Sequence, residues 1–255
     1  MKRKYIYIFV ILTFFIPAYT KVAMNPQDTS MLITEVLSNP IIYQFNYLFF
    51  IGKIFLIMFF VGSIFLKNKY TMIYSIKASI LLLFVAVFQS ISTDTSYGFA
   101  VLIGNIISQT IIVILFLWEA KVKRNDFSSF KISPINIITL LLAFFAFWMP
   151  ARNGEIYFSI KNLFFNEAGL TFCMIIPVII ASLLLYYKSI NLTLLKIMSF
   201  IGIYYGLLNM FTWFVLNPAH WWMGITHLPL LVNSTIGFVL AIKEQRDRYK
   251  NAHCT

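Results

Sequence analysis

Long apolar runs alternate with short polar or charged segments along the whole chain. The runs cover residues 5–20, 42–66, 71–92, 98–118, 134–149, 170–187, 195–216 and 228–242. A run of about 18 or more apolar residues with few charges reads as a helix that crosses a bilayer. The fifth and eighth runs are short for a span of about 20 residues, so they either extend into their flanks or lie where the bilayer thins. Neither 80–88 nor 111–117 alternates polar with apolar positions, as a membrane barrel requires. An open sheet is excluded, because lipid leaves its edge groups unsatisfied. The pattern therefore predicts an all-α integral membrane protein of about eight transmembrane helices.

The first run follows a basic stretch at 1–4 and has two readings: a first membrane helix or a secretory signal. Pro17 and Ala18 resemble the end of a signal, but Lys21 stands at the −3 position before Ala23, where cleavage wants a small residue. Retention gives eight helices with both termini cytoplasmic. Cleavage gives seven, with the N-terminus outside.

Charge sets the orientation. Fifteen Lys and Arg fall on one set of flanks: Lys2, Arg3, Lys4, Lys67, Lys69, Lys121, Lys123, Arg124, Lys131, Lys188, Lys196, Lys243, Arg246, Arg248 and Lys250. The opposite flanks carry Lys21, Arg152 and Lys161. By the positive-inside rule the first set is cytoplasmic, and the cell membrane is the expected location. Its acids are Glu119, Asp126, Glu244 and Asp247, whereas Asp28, Glu35, Asp94, Glu155 and Glu167 lie outside. The net charge of +11 would suggest nucleic acid in a soluble protein. Here topology accounts for it, and no nucleic-acid partner is expected. Composition agrees: 60% of residues are hydrophobic and 11% charged, against about 25% charged in soluble domains.

The chain reads as one polytopic domain, 1–255. Two four-helix halves, 1–131 and 132–250, share a plan: a span, a long outer loop, a span, a basic turn, a span, a shorter outer loop and a last span. Such a repeat would be parallel, about an axis along the membrane normal. The alternative is chance, since any eight-helix chain divides into two fours. The outer segments 28–37 and 155–165 are candidate interfacial helices.

Lys53 is the leading candidate for chemistry. It lies about 16 Å into a span that begins at Ile42, near the middle of a core about 30 Å thick. A charge there usually faces a cavity or a partner, and Gln109, Asn105 and Tyr47 are the candidate neighbours. The competing reading starts the span near Tyr47 and lets Lys53 snorkel outward. Lys77 is closer to its cytoplasmic end and reads as an anchor. Asn105, Ser108, Gln109 and Ile112 share one helix face. With Gln89, Ser90 and Ser92 they would form either a hydrated solute path or a set of interhelical hydrogen bonds.

Ser199, Gly202, Gly206 and Asn209 form a stripe where two helix backbones can approach, within the chain or between subunits. Pro177 should kink its helix. His220, Trp221, Trp222 and His227 suggest an outer-face lip. If 217–229 were helical, the two histidines would share a face. The tryptophans fit an interfacial belt, and no acid in that stretch completes a metal site.

Other chemistry has no motif. There is no nucleotide-binding glycine loop, no serine nucleophile elbow, no mid-span carboxylate, and no lysine in the last span for a retinal Schiff base. Cys173 and Cys254 make neither a disulfide framework nor a metal cluster. No cofactor, metal or catalytic residue is expected. Three functions stay open. The first is a small-solute transporter or its membrane component. The second is a sensor, immunity or assembly protein acting by helix contacts with a membrane partner or a second copy. The third is a lipid-modifying enzyme using His220 and His227 with Glu155 or Glu167.

Overall fold

The computed structural model describes residues 4–152 and 155–253; Lys2, Arg3 and Cys254 lie outside them. The protein is 76% helical. Nine α-helices occur among the described residues: α1 (Lys4–Thr13), α2 (Thr29–Ser38), α3 (Leu48–Leu66), α4 (Thr71–Phe88), α5 (Ile103–Val122), α6 (Pro134–Trp148), α7 (Phe172–Leu184), α8 (Leu192–Phe211) and α9 (Trp221–His253). All but α2 fall on the eight apolar runs.

Four helical stretches are long and apolar enough to cross a membrane: Leu48–Phe88, Ile103–Val122, Leu192–Leu216 and Pro218–Asn251. A fifth is added if Ile160–Leu170 and Phe172–Leu184, bent by 98°, count as one broken span. Eight full crossings are not shown. Among the described residues α1 covers 10 and α6 15, roughly 15 and 22 Å at helical rise.

Leu48–Phe88 is not one rod. Lys67 adopts φ 47°, and the chain folds back there. The Lys77 ammonium lies 5.5 Å from the Phe55 ring and 4.5 Å from the Phe59 ring. A continuous helix would separate residues 55 and 77 by about 33 Å. α3 and α4 are therefore antiparallel neighbours, each roughly 27–28 Å long, close to the thickness of a hydrocarbon core.

Local signals set several boundaries. The Ser133 side chain accepts from Asn136 N, and Pro134 takes the first helical position of α6. Asn191 accepts from Thr193 N and Leu194 N at the start of α8. Met149, at φ 47°, and Lys123, at φ 50°, end α6 and α5 in left-handed geometry.

At the core stands α7, all thirteen of whose residues are buried. Asn233 of α9 donates to Thr139 O of α6 (3.0 Å) and Pro177 O of α7 (3.1 Å), pinning three helices where a lone amide sits in apolar surroundings. Outward faces stay apolar: Phe50, Ile54, Ile57, Val61 and Phe65 of α3 and Ile137, Leu141 and Phe144 of α6 are exposed. Apolar exposure on this scale suits lipid contact and is unusual for a water-soluble monomer.

The loops segregate to two ends. At the basic end Phe127 N donates to Asn68 Oδ1, Asn191 N to Asn125 Oδ1, and Arg248 to Lys188 O. At the other end β1 (Tyr19–Thr20), β2 (Ile91–Ser92) and β3 (Ala100–Val101) form an antiparallel sheet in the order β1-β3-β2, and β4 (Ala151–Arg152) pairs with β5 (Glu155–Ile156). The expected interfacial helix at 28–37 exists as α2, but its Leu32 and Val36 pack on Ala100 and Leu102 of the sheet region. Glu35 accepts from Ser96, and the Tyr97 hydroxyl donates to Asp28, which raises the tyrosine pKa. The segment 155–165 is not an interfacial helix. It is a strand followed by the 3-10 turn Ile160–Leu163.

Candidate functional site

Lys53 lies in the second turn of α3, about 8 Å from the start of the helix. Residues 41–44 form a separate 3-10 turn, so the estimate of 16 Å from Ile42 is too deep. Snorkelling does not describe it either, because Lys53 is 0% exposed. Its ammonium donates to Phe147 O and lies 4.4 Å from the Phe147 ring centre. The last carbonyls of a helix lack partners within it, and a cation there is favoured by the helix dipole. Lys53 thus caps α6 from a neighbouring helix. Asn166 donates to the next carbonyls, Trp148 O (2.9 Å) and Met149 O (3.2 Å).

Two glycines bring a carboxylate toward this ammonium. The 3-10 turn Glu167–Leu170 crosses α3 at Gly52. A Cβ on Gly169 would lie 2.7 Å from Lys53 N, and one on Gly52 would collide with Gly169 O. Backbone meets backbone there, and half-buried Glu167 and Lys53 act on each other electrostatically without a direct ion pair. Tyr47, an expected neighbour, is 65% exposed. Gln109 belongs to a different contact, with Tyr205.

From Glu167 a series of polar side chains continues inward. The Thr171 hydroxyl donates to Glu167 O (2.9 Å), and Tyr43 Oη lies 3.5 Å from Thr171 Oγ1. Cys173 follows, with Asn209 Nδ2 3.6 Å from its sulfur. Asn209 also donates to Tyr205 O, and Tyr205 Oη lies 2.7 Å from Ser108 Oγ. Tyr43 additionally lines a surface depression of about 260 Å³ with Asn39, Pro40, Gln44, Thr93 and Asp94. Tyr43 thus borders a surface depression while its hydroxyl meets the buried series.

The other predicted residues are placed as follows. Ser108 and Gln109 face Tyr205 of α8: Ser108 bonds it, while Gln109 is buried beside it and its Oε1 has no hydrogen-bond partner; Asn105 is half-buried. Gln89 instead accepts from Phe172 N (2.9 Å), capping the buried start of α7. Ser92 donates to Asn39 O. The glycine stripe lies inside the chain. A Cβ on Gly206 would be 2.9 Å from Leu231 Cα, one on Gly202 would collide with Ser234 Oγ, and one on Gly237 would lie 2.6 Å from Ser199 Oγ. Asn209 turns to α7. Lys77 is buried, donates to Tyr70 Oη (2.6 Å) and lies among aromatic rings, not extended to the membrane surface as an anchor.

The histidines do not share a helix face. His220 ends the 3-10 turn Pro218–His220 and is exposed, whereas His227 is buried within α9 with Nδ1 2.6 Å from Met223 O. Trp221 is half exposed, and Trp222 Nε1 donates to Pro150 O. Among the described residues no three His, Cys, Asp or Glu are grouped to hold a metal ion.

Sequence reasoning missed the burial of Glu119, and it set Glu167 beside the histidines rather than near Lys53. Glu119, read as a cytoplasmic acid, is fully buried and accepts from Asn125 N and Asn191 Nδ2, both at 2.6 Å. Asn125 and Asn191, polar residues bordering apolar runs, were the available signal. No family model, characterised protein or solved structure matches the chain.

Proposed function

We propose that this chain is a small-solute carrier, or the membrane component of one, that engages its solute or a coupling ion at Lys53 and Glu167. The observation that carries the reading is a fully buried ammonium within electrostatic reach of a carboxylate, at a sharp break between two helical segments. Secondary transporters place binding groups where helices are interrupted, since freed backbone groups and helix ends meet the ligand there. The Tyr43 depression supplies an approach from the outer end. The sensor or assembly reading loses its main support, because the glycine stripe is occupied by α9 of the same chain. The lipid-enzyme reading loses its paired histidines.

The proposal includes topology: eight passes in the cell membrane, with the basic end and both termini in the cytoplasm. α1 supplies the first pass together with the non-helical chain that follows it. Ring contacts at Tyr7–Phe200, Phe14–Tyr204 and Tyr19–Phe99 follow this segment along the bundle. Gly104 leaves room for the Thr13 carbonyl, which supports α1 as a built part of the fold. Reporter fusions after Lys123 and after Tyr249 should read cytoplasm, and one after Glu155 the outside. An outside signal at Lys123 overturns the orientation.

Cysteine labelling tests the site. In a chain carrying Cys173→Ser and Cys254→Ser, cysteines at 43, 53 and 167 should react with a membrane-impermeant thiol reagent from outside. Position 53 should react more slowly than 43. Lys53→Met should abolish the cellular phenotype of the wild-type protein while leaving it inserted. An unreactive position 53 together with a phenotypically silent Lys53→Met would leave Lys53 as a helix cap alone.

A further inference from the structure

At the basic end, a cavity of about 350 Å³ opens where α5, α8 and α9 meet. Its lining includes Arg124, Asn191, Leu192, Thr193, Gln245 and Arg248. The two arginines arrive from different elements: Arg124 follows the left-handed end of α5, and Arg248 lies on the last turns of α9. Between them is the first turn of α8, a helix of 20 residues. The Asn191 side chain already accepts from Thr193 N and Leu194 N at that helix start, so the cation chemistry rests with the guanidinium groups, which match phosphate in a planar two-point geometry.

Two carboxylates lie nearby, each held by other groups of the chain. Glu119 lies beneath, its oxygens taken by Asn125 N and Asn191 Nδ2. Glu244 pairs with Arg248 Nε at 3.0 Å. Arg248 Nη2 donates to Lys188 O, which fixes the guanidinium in place. Its two bonds use two of the five N–H donors that a guanidinium carries. Gln245, which lines the opening, accepts from Lys196 at 2.7 Å. Ile190 and Leu192 supply an apolar edge on the same opening.

We propose that this cavity binds an anionic phosphate group, held between Arg124 and Arg248 over the start of α8. The same chemistry comes from two sources, the head of an anionic phospholipid or free phosphate. The proposal is independent of the carrier reading.

The test uses the full chain in neutral detergent, with melting temperature as readout. Short-chain phosphatidylglycerol, short-chain phosphatidylcholine and inorganic phosphate are titrated separately. Phosphatidylglycerol should raise the melting temperature of the wild type more than phosphatidylcholine does. In Arg124→Gln/Arg248→Gln that rise should vanish. If the double variant does not fold, each single variant should need about tenfold more ligand, as expected for loss of one charge-assisted hydrogen-bonding group. A rise with inorganic phosphate as well, lost in the same variants, identifies a soluble phosphate ligand; a rise with phosphatidylglycerol alone identifies a lipid head. Lys121→Gln/Lys123→Gln removes equal charge from the neighbouring chain and should keep the response. Three results overturn the site: no rise with either phosphate source, an equal rise with phosphatidylcholine, or an equal response in the arginine and lysine double variants.

Discussion

Lys53 and Lys77 stand on adjacent antiparallel helices, each within a long apolar run and each buried, yet their surroundings differ. Lys77 is enclosed by the rings of Phe55, Phe59 and Tyr70 and bonds the Tyr70 hydroxyl. No carboxylate acts on it. Lys53 bonds a helix-end carbonyl and lies within reach of Glu167. Aromatic faces stabilise an ammonium without offering it a proton acceptor or an exchangeable counter-charge. A carboxylate offers both. Burial of a charge thus says little about use until its neighbours are known, and the pair separates a structural lysine from a candidate functional one.

The largest effect should come from closing the backbone crossing that creates the Lys53 site. Gly169→Leu places a side chain against Lys53 N and Gly52 C. Overpacking of this kind typically costs about 1–3 kcal/mol and sometimes more. Melting in detergent should fall further for Gly169→Leu than for any lysine variant. A melting temperature equal to that of the wild type would mean that the segment does not cross α3 there.

Next comes the coupling of Lys53 to Glu167. Lys53→Met removes the donor from Phe147 O, a cost of roughly 1–3 kcal/mol for a buried acceptor left unpaired, offset in part by relief from burying a charge. Glu167→Gln should destabilise less, and the double variant should be less destabilised than the sum, by about 0.5 kcal/mol or more. The same cycle with Lys77→Met and Glu167→Gln should be additive. Equal coupling in both cycles would erase the distinction between the lysines.

The smallest effect is expected at Lys77. Lys77→Met loses a hydrogen bond and ring contacts but also removes the cost of burying a charge, so the net change should stay within about 1 kcal/mol. Cellular phenotype should be unchanged. A Lys77→Met chain that inserts normally but loses phenotype would move the functional assignment to α4.

Some features were readable because they depend on composition along the chain. Uninterrupted apolar runs marked the positions of eight of the nine described helices, since a helix satisfies its own backbone where water is excluded. Ser133-Pro134 and Asn191 marked helix starts through local hydrogen bonding. Ser199, Gly202 and Gly206 announced a close helix contact because small residues at that spacing permit one. What that stripe would meet was not readable: Ser234 and Gly237 of α9 form the complementary surface.

Helix lengths departed from the runs for a related reason. Hydropathy does not register where backbone geometry breaks, so the helix in 5–20 already ends at Thr13, and 170–187 begins at a sharp bend. By contrast, the last run of 228–242 is embedded in a 33-residue helix whose charged end stays docked through Arg248.

By itself, then, the amino-acid order determined the apolar helices, the segregation of basic flanks and two lysines within apolar runs, because each follows from local pattern. Tertiary structure alone decided that Lys53 would meet Phe147 O with Glu167 nearby, that Gln89 would cap α7, and that Glu119 would be buried under Asn191. Those contacts join residues far apart in the chain. They depend on how helices bend and cross, as at Gly52 and Gly169, where the absence of two side chains lets one backbone lie against another.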